Sequence, residues 1–104
     1  MKWKVKYSAE AKQDLEGIYD YISTVLREPQ IARGQVERIL SSVNKLDSMP
    51  LRYRLCDYKK WSEQGVRFLT VDNYIVFYLP DEADKSVFVV RIMYGGRDIN
   101  SILN

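Results

Sequence analysis

Residues 66–79 read VRFLTVDNYIVFYL, two apolar runs either side of Asp72-Asn73. Both connecting residue types tolerate positive φ, so Val66 to Val71 and Tyr74 to Leu79 read as antiparallel strands joined by a two-residue turn. Pro80 to Lys85 is a polar turn, and Ser86 to Tyr94 returns as a third strand. That strand opens the segment Val87 to Leu103, VFVVRIMYGGRDINSIL, in which Gly95-Gly96 mark the end of the apolar run and Arg97-Asp98 begin a short tail expected to be helical. Simple alternation puts Ile75, Phe77 and Leu79 with Phe88, Val90 and Ile92 on the face towards any helices. It turns Tyr74, Val76 and Tyr78 with Val87, Val89, Arg91 and Met93 to a second, partly open face.

Outward from this sheet, Lys2 to Tyr7 also alternates: three lysines on one side, Trp3, Val5 and Tyr7 on the other. This is a half-buried strand whose lysines suit either a solvated edge or a phosphate-binding face. Ser8 stands where a helix N-cap belongs. Ala11, Leu15, Ile18, Ile22 and Val25 then form one apolar stripe, ending near Glu28 before Pro29. Pro29 suits the first turn of a second helix carrying Ala32, Val36, Ile39, Leu40, Val43 and Leu46. The short connection makes an antiparallel helical hairpin, and Gly17 and Gly34 within it suggest close packing. The expected fold is α+β: an antiparallel sheet of about four strands, order βααβββ, with the N-terminal helical hairpin on one face and a short C-terminal helix. Residues 1–104 form a single domain in this reading.

Leu51 to Gln64 lacks a clean period and mixes Arg52, Tyr53, Arg54, Tyr58, Lys59, Lys60 and Trp61. Such a loop can stack bases and hold phosphates, or cover the sheet edge with its rings. Net charge is +2 and the sequence pI about 8.7, too mild to establish a nucleic-acid ligand. The distribution is uneven, with Glu10, Asp14, Glu16 and Asp20 early and the basic stretch in the middle. There is no histidine, and Cys56 is the single cysteine. Histidine-based triads, the usual zinc sites and an internal disulfide are therefore excluded, and no cofactor or metal is expected. No apolar run has the length of a membrane span or the placing of a signal peptide, so the expected compartment is the cytoplasm.

The motifs Tyr7-Ser8, Asp14-Leu15-x-x-Ile18-x-x-Tyr21-Ile22, Leu46-x-x-x-Pro50, Gly65-Val66-Arg67, Asn73-Tyr74-x-Val76-Phe77-Tyr78 and Arg91-Ile92-x-Tyr94-x-x-Arg97-Asp98 follow one another in order. In that order and spacing the chain resembles the RelE/ParE superfamily, the toxins of bacterial type II toxin–antitoxin modules, from about Val5 to Leu103. The resemblance implies a cognate antitoxin as partner, a toxin–antitoxin hetero-oligomer and no membrane. RelE-like members are ribosome-dependent mRNA endonucleases, whereas ParE-like members poison DNA gyrase. A further reading is a family member that has lost toxicity and only binds its antitoxin.

For RNA cleavage a 2′-hydroxyl must lose a proton, a phosphorane must be neutralised and a leaving oxygen protonated. On a RelE-like reading Arg97, Arg67 and Tyr94 are the catalytic candidates, with Asp98 or Glu63 as base. Against the RelE pattern, Arg67 has no neighbouring lysine, Ile75 stands near the third-strand arginine and Leu103 near the C-terminal tyrosine. On a ParE-like reading, which fits with fewer gaps, Arg91, Arg97 and Tyr94 are target-binding residues of a protein that is not an enzyme. Arg67 and Arg91 also suit ion pairs across neighbouring strands.

Overall fold

The computed structural model describes residues 2–96. The chain runs through β1 (Lys4–Tyr7), α1 (Ala9–Asp20), α2 (Pro29–Asn44), α3 (Lys59–Ser62), β2 (Arg67–Val71), β3 (Tyr74–Asp81) and β4 (Ser86–Tyr94). A π-helical turn at Tyr21–Val25 leads out of α1, and 3-10 turns occupy Lys45–Asp47 and Pro50–Arg52. Arg97, Asp98, Leu103 and the expected C-terminal helix lie outside the described residues.

Strand order is β1-β4-β3-β2. Tight turns make β2, β3 and β4 antiparallel, with Val71 opposite Tyr74 and Asp81 opposite Ser86. β1 instead lies parallel to β4, from Lys4 opposite Ser86 to Tyr7 opposite Val89. The sheet is therefore mixed, not antiparallel as expected. A two-residue turn dictates strand direction, but the long crossover from β1 to β4 through both helices and two strands does not.

The helix signals act locally as read. Ser8 Oγ accepts the Ala11 amide at 2.9 Å, and Pro29 enters the first turn of α2. Val25 leaves the stripe and is 63% exposed, because the π turn, closed by Leu26 N–H to Tyr21 O and Glu28 N–H to Ile22 O, breaks the 3.6-residue phase. Nor are the helix glycines packing sites: a Cβ on Gly17 would meet nothing within 4 Å, and one on Gly34 only Arg38 Nη1 at 3.4 Å.

The face assignment is reversed along β3 and in β4 as far as Val90, whereas Ile92 and Met93 take the faces expected of them. Val76, Tyr78, Val87, Val89 and Ile92 form the core against Ala11, Ile39 and Val43 of the helices. Phe77 and Met93 belong to a second cluster on the other face, with Ile75, Leu79 and Val90 partly buried against it. The register slips between Phe77 and Tyr78, which pair with Arg91 and Val89 and leave Val90 as the extra residue of a β-bulge. One extra residue inverts the alternation beyond it, so Val87 and Val89 share a face with Ile92.

The second face is covered. Trp61 and Tyr58 pack on Phe77 at ring separations of 4.8 and 5.9 Å, and Cys56 and Val66 are buried beside them. The loop bringing them is clamped from its start: Met49 adopts φ 54°, Pro50 O accepts the buried Tyr78 hydroxyl at 2.6 Å, and Arg67 Nη1 donates to Leu51 O at 3.2 Å and to Tyr53 O. Asp72, at φ 54°, ties the β2–β3 turn to α2 by accepting from Arg38 Nε and Gln35 Nε2, and these bonds hold its carboxyl below the usual aspartate range. Tyr78→Phe leaves Pro50 O without its donor and should cost about 1–2 kcal/mol, read as a lower denaturation midpoint with unchanged slope. An unchanged midpoint would show that the clamp contributes nothing.

Candidate binding groove and the Arg91 edge

β1 ends opposite Val89, so the outer edge of β4 beyond that point has no strand beside it. The start of α1 supplies partners instead. Ser8 N–H donates to Val89 O at 2.9 Å and Ser8 Oγ to Val90 O at 2.7 Å. Nearly two helical turns on, Asp14 Oδ2 accepts the Ile92 amide at 2.9 Å and Arg91 Nε at 2.8 Å, while Oδ1 accepts Arg91 Nη2 at 2.9 Å. This is a bidentate, charge-assisted pair with side chains only 22% and 10% exposed. The hydrogen bonds that Arg91 donates to Asp14 raise the Arg91 pKa further, against the opposing effect of burial. Arg91 therefore pairs with a helix and not with a neighbouring strand.

The remaining arginine and tyrosine are far apart. Arg67 lies opposite Tyr78, whereas Tyr94 lies opposite Tyr74 at the other end of β3. Four residues of extended chain separate these levels by about 13 Å. Arg67 spends Nη1 on the Leu51 and Tyr53 carbonyls at the β2 edge. Tyr94 is 49% exposed and stands edge-on to Tyr74, with ring centroids 5.8 Å apart. Glu63 follows α3 and pairs with Lys59 at 4.0 Å. Burial pushes the Cys56 thiol up, which disfavours the thiolate a nucleophile needs. Among the described residues no three His, Cys, Asp or Glu side chains converge as metal ligands would. Among the described residues, Arg67 and Tyr94 are thus not brought together.

Tyr94 does line a groove of about 790 Å³ between the helical hairpin and the turn end of the sheet. Ile18, Tyr21, Leu26 and Ile31 form its helical wall, and Tyr74 and Tyr94 its sheet wall. Tyr21, Leu26 and Ile31 are each more than half exposed, at 54, 52 and 57%. Gly17, whose added Cβ would meet nothing, keeps the wall open. Sequence periodicity missed these residues because Tyr21 and Leu26 lie in or beside the π turn and Ile31 in the first turn of α2. Their visible signal is apolar side chains at the junction between two amphipathic helices.

The model of the family described as "ParE toxin of type II toxin-antitoxin system, parDE" matches residues 5–99. The chain belongs to this family. It is a ParE-type toxin of a type II toxin–antitoxin system. Among solved structures it is similar to a chain of the chromosomal ParDE system from P. aeruginosa, with a TM-score of 0.75, 25% identity and coverage of 89% of this chain and 96% of the other. The RelBE2 toxin–antitoxin complex from Mycobacterium tuberculosis gives a TM-score of 0.65 at 17% identity, covering 90% and 92%. The archaeal RelE–RelB complex from Pyrococcus horikoshii gives 0.56 at 16%, covering 93% and 99%. The last two establish a shared fold. No curated protein sequence matches significantly.

Within this ParE-family chain the Asp14–Arg91 pair has a stability cost that can be measured. Asp14→Ala strands a mostly buried guanidinium and the Ile92 amide together, and should destabilise the fold by about 2–4 kcal/mol in denaturant unfolding. A loss below about 1 kcal/mol would mean that water or another acceptor replaces the carboxylate.

Proposed function

We propose that this toxin arrests growth in the cytoplasm by poisoning DNA gyrase, and that a cognate antitoxin neutralises it by seating an apolar segment in the groove beside Tyr94. The gyrase reading is supported by membership of the ParE family, whose resemblance implies that target. The observation that carries it is the separation of Arg67 from Tyr94 by about 13 Å along β3, with Arg91 already neutralised by Asp14. A nuclease needs its acid, base and phosphate-neutralising cation around one phosphodiester; a poison needs only a complementary surface.

Support for the antitoxin reading comes from the groove. Its exposed isoleucine, leucine and tyrosine side chains suit the apolar face of a helix or strand. Solved structures of similar fold are of toxin–antitoxin complexes. No helix of the described residues is long and apolar enough to cross a membrane.

A paired assay on one preparation tests the target. Purified toxin should inhibit gyrase supercoiling and trap cleaved DNA, while leaving ribosome-bound message intact. Message cleavage with no effect on gyrase at stoichiometric excess would replace this reading with the ribonuclease one. Growth continuing on induction would leave only antitoxin binding.

The groove has its own test in Gly17→Leu. The substitution adds bulk where no atom lies within 4 Å, so the fold should hold or gain slightly from the better helix former. Affinity for the antitoxin should fall at least tenfold, about 1.4 kcal/mol by calorimetry. Unchanged affinity would move the antitoxin to another surface.

A further inference from the structure

The β2 edge of the sheet carries a second surface, none of whose cations lines the groove beside Tyr94. Arg52 and Arg54 are exposed on the loop that pairs with β2 through Leu55 and Arg67, and Lys59 and Lys60 are exposed on the short helix α3 that follows it. The loop is held rigidly. Besides the Tyr78 and Arg67 clamps, Cys56 N–H donates to Val66 O at 3.0 Å and Phe68 N–H to Arg54 O at 3.2 Å. Two of the cations are further positioned by stacking, with the Arg52 guanidinium 5.0 Å from the Tyr53 ring centre and that of Arg54 4.8 Å from the Phe68 ring centre. Arg52 Nη2 also donates to the Tyr53 hydroxyl at 2.9 Å, and a guanidinium fixed in this way has less rotamer freedom to lose on binding.

The acids nearby are weak competitors. Arg54 meets Asp57 at 3.4 Å and Lys59 meets Glu63 at 4.0 Å, with all four side chains at least 65% exposed. Solvent screens such pairs, so a phosphate can displace either carboxylate at little cost.

The geometry points to this edge as a contact surface for the phosphate backbone of double-stranded DNA. The rings decide between a duplex and unpaired bases. Tyr53 packs edge-on to Tyr78, Tyr58, Trp61 and Phe68 pack against Phe77, and Arg52 and Arg54 cover Tyr53 and Phe68. With the rings committed to the core or covered by guanidiniums, base stacking has no platform, and the surface offers charge at fixed positions. Such charge favours the ligand with the higher phosphate density, and that is the duplex.

The test is fluorescence anisotropy of the full chain with a labelled mixed-sequence duplex of about 20 base pairs, titrated with salt. Four cations on phosphates predict a slope of log K against log salt of about −3.6, hence a loss on the order of 100-fold between about 50 and about 200 mM salt. Arg52→Ala with Arg54→Ala should make the slope shallower by about two. Lys59→Ala with Lys60→Ala, on a separate element, should do the same by about two and decides the matter if the arginine variant loses its melting transition. Absence of duplex binding at the low-salt end, slopes equal to wild type in the folded variants, or tighter binding of a single strand of the same length would each overturn the assignment. No gyrase is present, so the result is independent of the target reading.

Discussion

Where α1 meets β4, a carboxylate and a guanidinium 77 residues apart in the chain close the edge of the sheet. β1 is only four residues long while β4 has nine, so a strand alone cannot pair the full length of β4. The open remainder would expose backbone groups next to the core, where an unpaired amide is costly. Ser8 and Asp14 answer this within the first two turns of α1. Because Asp14 accepts both the Ile92 amide and the Arg91 fork, the rotation of α1 about its axis is set by hydrogen-bond geometry as well as by apolar packing. That rotation presents Gly17, Ile18 and Tyr21 to Tyr74 and Tyr94. The groove is a consequence of how the edge is capped.

The bulge at Val90 belongs to the same arrangement. It brings Ile92 onto the helix side at the level of Asp14, while Val87 and Val89 keep that side lower on the strand. Phe77 and Met93, alternating with Val76 and Ile92, face the opposite way and form a second apolar cluster requiring its own cover. Tyr58 and Trp61 supply it, carried by a loop that depends on an unusual backbone at Met49 and on clamps from Tyr78 and Arg67. Arg67 is thus part of the support for the loop. Its cation is held at the sheet edge by carbonyl oxygens.

Two surfaces of different chemistry result. At the turn end of β3 and β4 the groove is apolar and concave, suited to a partner that loses water on binding. Along the β2 edge the surface carries exposed cations, and its attraction for anions depends on salt. None of the four cations lines the groove.

Much of the fold is legible locally. Ser8 caps α1 because its hydroxyl reaches an amide three residues on, Pro29 starts α2 because its φ is preset, and Asp72-Asn73 turns the chain in two residues; none of these depends on distant parts of the molecule. The ordered motifs likewise carried family membership. Strand direction in β1, the face of each sheet residue, the partner of Arg91 and the existence of the groove were settled only in three dimensions. Tyr94 could be named from the sequence, but its place in the groove wall required Tyr21, Leu26 and Ile31, whose exposure follows from a π turn that periodicity does not reveal. Alternation assumes an unbroken period of two, and the single extra residue at Val90 reverses it; the Asp14–Arg91 pair joins elements at opposite ends of the chain. Short-range geometry is written in neighbouring residues, whereas a bulge and an ion pair of that span exist only once the sheet and helix have come together.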